Sequence, residues 1–168
     1  GWMAAVWHSQ AVAGLSFVQD DAVAAARWAN QFLTERDVHG DIAKEAEIPW
    51  RLAERMREFA KGEPTSFGEI PLDVTHLAPF GRKVAAECCA LAWGETASYA
   101  EIAGRVGSPA AARAVGNCMR TNRLPLLIPC HRVVGAGGSL GGYSAPTGLS
   151  MKCRLLAAEG VGLPAMAG

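Results

Sequence analysis

Two helix signatures stand almost back to back between residues 98 and 119, and they limit this chain more than any other stretch. Ser98-Tyr99-Ala100-Glu101 has the spacing of a capping box, in which a hydroxyl and a carboxylate satisfy each other's backbone N–H groups at a helix start. It predicts a short helix through Ile102 and Val106 that stops at Gly107. Ser108-Pro109 then supplies an N-cap and an N1 proline for a second helix reaching about Met119. Two capped helices separated by about two residues form a helix-turn-helix signature. On the second helix Arg113, Asn117 and Arg120 fall at i, i+4 and i+7, on a face shared with the small residues Ala110 and Gly116. That stripe fits a solvated polar face or a surface for a polyanion.

The remaining pattern predicts a two-domain α/β (α+β) chain. Residues 2–18 alternate loosely around a turn-like His8-Ser9-Gln10, as in a β-hairpin. Asp20 to Leu33 reads as a helix with Trp28 and Phe32 in its buried stripe. A polar stretch from Thr34 to Glu47 follows, and Pro49 opens another helix with Leu52, Met56 and Phe59 on one face. Glu63 to Pro79 is rich in Pro and Gly without periodicity and reads as an inter-domain linker. Arg82 to Leu91 is a helix with Val84, Cys88 and Leu91 inward. The expected domains are 1–75, a small β-sheet with helices, and 76–168, mostly helical with a winged-helix-like helix-turn-helix.

Net charge is zero, but its distribution is uneven. Residues 1–97 carry 9 Lys/Arg against 14 Asp/Glu, and residues 98–168 carry 7 against 2. The segment with the paired helices is therefore basic and suited to an acidic partner. The five cysteines have no paired framework, which favours free thiols in a reducing compartment. No apolar run approaches the ~20 residues of a membrane span, and no basic leader precedes the first apolar stretch. His8, His39 and His76 are dispersed and no CxxC spacing occurs, so no metal is expected.

Ile128-Pro129-Cys130-His131-Arg132-Val133-Val134 sets a nucleophile beside a base in an apolar frame. Cysteine attacks as the thiolate, so an imidazole that takes its proton matters. Pro129 biases Ile128 towards an extended conformation, and the segment reads as a buried strand ending in a turn. Side chains of neighbouring strand residues point to opposite faces, so no direct Cys130–His131 contact is expected. Alone, the pair fits an inert core thiol as well as a reactive one.

Several further motifs accompany it in order: Gly94-Glu95-Thr96-Ala97-Ser98-Tyr99, Ala112-Arg113-Ala114-Val115-Gly116-Asn117, Asn122, Gly141-Gly142-Tyr143-Ser144 and Ala158-Glu159-Gly160. With these, residues 94–160 resemble the O6-alkylguanine-DNA alkyltransferases, also called methylated-DNA–protein-cysteine methyltransferases. The resemblance implies single-turnover repair without a cofactor, by a cytoplasmic monomer acting on double-stranded DNA that bears O6-alkylguanine. The helix carrying Ala112, Gly116, Asn117 and Arg120 would enter the minor groove, with Arg113 filling the gap left by a flipped-out base. Cys130 would take the alkyl group irreversibly. His131 would accept its proton through a bridging water, oriented by Glu159, a carboxylate whose place at a helix C-terminus otherwise opposes the helix dipole. Tyr99 and Ser144 would assist departure of O6. Asn122 would brace the turn around the nucleophile, and Tyr143 and Val133 would complete the base pocket beside the glycine-rich loop 137–142.

The segment Ser144-Ala145-Pro146-Thr147-Gly148 is about two residues longer than the family's usual loop, and Arg123 follows Asn122 where proline is frequent. Two other classes fit parts of the pattern: a sensor that binds alkylated DNA without repairing it, and a Cys-His thiol hydrolase.

Overall fold

The computed structural model describes residues 1–8, 10–36, 50–143 and 148–162. Backbone contacts divide the chain into two compact units, residues 1–76 with 123–127, and residues 77–122 with 128–168. A single cut at 75/76 therefore misses one feature: a short return of the chain to the first unit just ahead of Cys130. The fold is mixed α/β.

In the first unit, β1 (Trp2–His8) pairs antiparallel with β2 (Ala11–Gln19). Gln10, with φ +70°, sits in the connection and meets its demand for a left-handed backbone. Helix α1 (Ala22–Arg36) begins after Asp21, whose carboxylate accepts the Ala24 N–H at 2.7 Å. It runs three residues beyond the expected Leu33. Its stripe Ala25, Ala29 and Phe32 is buried at helical spacing, and Val6, Ala13, Ala29 and Phe32 form one core cluster. The opening of α2 (Trp50–Ala60) by Pro49 lies outside the described residues, as does most of the polar stretch before it. Leu52, Met56 and Phe59 are buried as their spacing requires.

Two local expectations need correction. The stretch read as linker is partly core: Phe67 and Ile70 are buried, and the Phe67 ring packs at 6.0 Å from that of Phe59. Val12 N–H bonds to the Pro71 carbonyl and Asp73 N–H to the Val12 carbonyl, both at 2.8 Å, so residues 71–73 take the free edge of β2. Prolines and glycines hid this because such edge pairing needs few residues and no periodicity. Leu15 N–H on the same strand bonds to the Arg123 carbonyl at 2.9 Å. With both edges engaged, β2 is buried continuously from Val12 to Phe17 instead of alternating.

The second unit holds α3 (Pro79–Cys89), α4 (Tyr99–Arg105), α5 (Ala112–Arg120) and α6 (Leu149–Ala158). The capping box is present in full: Ser98 Oγ accepts the Glu101 N–H at 3.1 Å and Glu101 accepts the Ser98 N–H at 2.6 Å. Gly107, with φ +76°, ends the first helix of the pair. Ser108-Pro109 does not start the second. Those residues form a turn closed by the Ala111 N–H on the Ser108 carbonyl at 2.8 Å, and α5 begins only at Ala112, without a side-chain cap. A Ser-Pro pair nucleates turns as readily as helices, and here the turn wins. A two-residue parallel pair, β3 (Ala97–Ser98) with β4 (Val133–Val134), ties the start of α4 to the segment after Cys130. Among the described residues no helix is long and apolar enough to cross a membrane.

Gly14 in β2 has no room for a side chain, since a Cβ there would lie 2.5 Å from the Phe32 ring, which is itself buried. Gly14→Ala should therefore cost about 1 to 3 kcal/mol through overpacking, read as a lower midpoint in urea unfolding with an unchanged slope.

Candidate active site

Cys130 does not sit on a strand. Residues Cys130–Arg132 form a 3₁₀ turn, and the extended segment comes only afterwards at β4. Pro129 is the cause: its ring fixes φ at −76° and its carbonyl accepts the Arg132 N–H at 2.9 Å, closing the turn over the cysteine. Both Cys130 and His131 are buried.

Asn122 holds the nucleophile from below. Its Nδ2 donates to the Ile128 carbonyl at 2.9 Å and lies 3.2 Å from Cys130 Sγ. The chain leaves the second unit after Asn122 and rejoins it at Ile128, so this one side chain ties together the two ends of that excursion. Burial pushes the Cys130 thiol up, while the Asn122 hydrogen bond and the Lys152 charge pull in the other direction without cancelling it. The protonated thiol is therefore the favoured form.

His131 follows Cys130 in the same turn. Its Nε2 lies 2.8 Å from Glu159 Oε1, with both side chains fully buried. An ionised carboxylate can only accept, so Nε2 carries the proton and Nδ1 is the nitrogen able to take another. Burial lowers the His131 pKa, with Glu159 opposing and Arg132 and Lys152 assisting. The ring is therefore neutral at neutral pH.

Glu159 ends α6 at its C-cap. Beyond His131, its oxygens accept Arg132 Nε at 2.9 Å, Arg132 Nη2 at 3.0 Å and the Gly94 N–H at 3.2 Å. Burial works against its charge, but the His131 and Arg132 hydrogen bonds outweigh that and hold the carboxyl at about 2. Gly94 needs to be glycine here, because its φ is +76° and a Cβ would come 2.9 Å from the Glu159 carbonyl.

In front of the thiol lies a cavity of about 720 Å³. Cys130, Tyr99 and Tyr143 line it, together with Ala112, Arg113, Gly116, Asn117 and Arg120 on α5. Arg113, Asn117 and Arg120 are exposed. Burial raises the Tyr99 pKa, and more strongly that of Tyr143, whose hydroxyl is buried and faces the Cys130 thiol. Both phenols therefore hold their protons at neutral pH. Gly141 packs on Tyr99: a Cβ would lie 2.9 Å from its hydroxyl, so only glycine lets the loop close on that ring.

Of the residues singled out from sequence, His131, Glu159 and Asn122 gather behind or beneath Cys130, and the α5 residues share its cavity. Val133 is fully buried in β4 and is not on the cavity wall. Ser144 and the altered loop Ala145-Pro146 lie outside the described residues. Two buried charged side chains beside the site escaped the sequence. Arg132 read as part of a motif, not as a ligand of Glu159. Lys152 is fully buried on α6, donating to the Val133 carbonyl at 2.6 Å and the Leu140 carbonyl at 2.5 Å, with burial lowering its pKa to about 8. A lysine one turn into an apolar helix was the available signal, because such residues are seldom buried without partners.

A buried thiol flanked by a histidine–carboxylate pair and opening on a helix-turn-helix wall defines a class of nucleophilic acceptor sites presented beside a DNA-binding motif. The comparisons with known proteins agree. Residues 79–161 match the DNA-binding domain model of 6-O-methylguanine DNA methyltransferase. The chain is similar to the methylated-DNA–protein-cysteine methyltransferase of Mycolicibacterium paratuberculosis, 43 % identical over 106 residues that cover 63 % of this chain and 62 % of that one. With the human protein of that name it shares 41 % identity over 114 residues, covering 63 % and 54 %. These matches thus span less than two thirds of either relative's length. In structure it is similar to Mycobacterium tuberculosis OGT in complex with DNA, with a TM-score of 0.72 and 27 % identity over 94 % of this chain and 86 % of that one. The O6-methylguanine-DNA methyltransferase of Pyrococcus kodakaraensis gives a TM-score of 0.69 at 25 % identity, over 95 % and 92 %. The chain belongs to the O6-alkylguanine-DNA alkyltransferase family.

The depressed Glu159 carboxyl has a consequence for stability. Its contribution is fully present above the unfolded carboxyl value of about 4.3 and is lost as pH falls through the folded value of about 2. Glu159→Gln should cost about 3 kcal/mol at pH 7 by leaving Arg132 uncompensated. Urea unfolding should show the gap to the native chain closing between pH about 5 and about 2.

Proposed function

We propose that this chain repairs O6-alkylguanine, chiefly O6-methylguanine, in double-stranded DNA by moving the alkyl group irreversibly onto Cys130. The observation that carries this reading is that the thiol and the polar face of α5 line one cavity, with a buried base behind the thiol. A methyl on O6 of guanine lies within the base stack, so the nucleotide must leave the duplex before a thiolate can reach it. The DNA complex of the M. tuberculosis relative supports DNA as the partner, and so does the excess of basic residues after residue 97.

In this reading α5 lies in the minor groove. Ala112 and Gly116 allow close approach of the backbone, Asn117 and Arg120 meet it, and Arg113 stacks in the vacated position. The proton of Cys130 passes through a bridging water to Nδ1 of His131, and Glu159 steadies the imidazolium. Sγ then bonds to the alkyl carbon as the carbon–O6 bond breaks, and the electron pair leaves with guanine. Tyr99 holds its proton at neutral pH and can donate it as charge develops on the departing base. Ser144 would add a second donor from the adjoining loop, and Tyr143 would form the floor of the pocket. The thioether product has no comparable leaving path, so each molecule, acting as a monomer in the cytoplasm, reacts once and needs no cofactor.

Incubation with excess duplex containing O6-methylguanine should add one increment of about 14 Da, mapping to Cys130, in a one-to-one burst. Cys130→Ala should abolish it while retaining DNA affinity. Binding without any adduct in the native chain would favour a damage sensor, and continued turnover a hydrolase. Arg113→Ala should slow repair in duplex DNA on the order of tenfold to hundredfold, because extrusion costs a few kcal/mol that the arginine offsets. Reaction with free O6-benzylguanine should hardly change. Equal losses in the two assays would remove the role in base extrusion.

A further inference from the structure

We propose that Arg132 is a positioning residue for this site: its guanidinium takes up both oxygens of Glu159, so that the carboxylate orients the His131 ring without drawing a proton onto it. The inference rests on His131 accepting the Cys130 proton, and it concerns what keeps that ring ready.

A carboxylate offers about four lone-pair positions. At Glu159 each meets an N–H: His131 Nε2 and Arg132 Nη2 on Oε1, Arg132 Nε and the Gly94 amide on Oε2. The remaining guanidinium nitrogen, Nη1, donates to the Leu91 carbonyl at 2.7 Å, which anchors the fork to the segment after α3. Arg132 thus fixes where Glu159 stands, and Glu159 fixes the plane and tautomer of His131.

Charge counting gives the second half. The side chains of His131 and Glu159 are 0 % exposed and that of Arg132 is 7 % exposed. With a neutral imidazole, the Glu159 and Arg132 charges cancel. Protonating the ring would leave a net positive charge in a buried site, which is costly. Without Arg132 the balance reverses, since a buried Glu159 paired only with His131 is neutral when the ring is charged. The imidazolium would then be the resting form, with no capacity for the Cys130 proton. The charged groups facing His131 are Glu159, Arg132 and Lys152, and Lys152 adds to the positive side. Burial is the largest cause of the lowered His131 pKa, Glu159 opposes it, and the Arg132 and Lys152 charges lower it further.

During transfer the proton leaves Sγ for Nδ1, so the new positive charge appears together with the thiolate's negative one. The proton transfer therefore leaves the overall charge of the site unchanged. A lysine in its place keeps the charge but cannot occupy both carboxylate oxygens as a planar fork.

The test is a histidine-ring NMR titration of the full chain, with the His131 signal identified by its loss in His131→Asn, alongside the pH profile of alkyl transfer. In the native chain the ring should be neutral at pH 7. In Arg132→Met its midpoint should rise by about one pH unit or more, and the acid limb of the transfer profile should move up with it. At pH 6 the rate should fall about tenfold, and at pH 8.5 much less. Arg132→Lys should bring the midpoint most of the way back. If Arg132→Met does not fold, Arg132→Gln carries the same expected rise. A charged ring at pH 7 in the native chain overturns the proposal, as does an unmoved midpoint in a folded Arg132 variant. A loss of rate that is equal at all pH values overturns it too, by reducing Arg132 to a purely structural role. Because the ring titration does not require alkyl transfer, a shifted midpoint in a chain that transfers nothing would support the Arg132 assignment while sinking the transfer reading.

Discussion

One buried carboxylate organises the reactive half of this protein. Glu159 collects donors from two places in the chain, the turn at Gly94 and the 3₁₀ turn at His131 and Arg132, and it does so from the end of α6. A charge this well buried is tolerable only when fully hydrogen-bonded and balanced. The same bonds that stabilise it therefore lock the segments that carry them. The nucleophile is placed as a by-product, since Cys130 begins the turn that His131 and Arg132 complete.

Lys152 plays a corresponding part for the segment after β4. Its ammonium bridges the carbonyls of Val133 and Leu140, so α6 holds both ends of the segment leading into the Gly141-Gly142-Tyr143 wall. Together Glu159 and Lys152 make α6 the support of the site, although neither residue lines the cavity. The cavity's own surface comes from α4, α5, the segment from Gly142 to Tyr143, and Cys130 itself. This separates the groups that govern proton affinity from those that meet a ligand.

The Pro129-Cys130-His131 motif was legible because it sets particular residue types close together: a thiol, an imidazole, and a proline that bends the chain. The paired helices were legible for the same local reason, and the Ser98–Glu101 capping box is present atom for atom. The start of α5 was not. Ser108-Pro109 satisfies the rules for a helix start and for a turn equally, and only the packing of α4 against α5 decides between them. The strand expected at Cys130 failed similarly, since its apolar neighbours fit a buried strand or a buried turn. The stretch from residue 63 to 73 looked like linker because edge pairing with β2 leaves no periodic mark.

Sequence by itself determined the reactive residue types, the helix pair with its basic face, the hairpin and helix of the first unit, and the uneven charge between the two halves of the chain. These depend on neighbours within a few positions, where spacing has direct physical meaning. Tertiary structure alone decided that Glu159 serves His131 and Arg132 at once, that Lys152 is buried, that Asn122 closes the chain's excursion onto Cys130, and that Val133 is core. The Glu159 contacts with His131 and Arg132 and the Lys152 contacts join residues 12 to 28 positions apart. A buried charge finds its partners through the packing of whole elements, and no local pattern records which ones will meet.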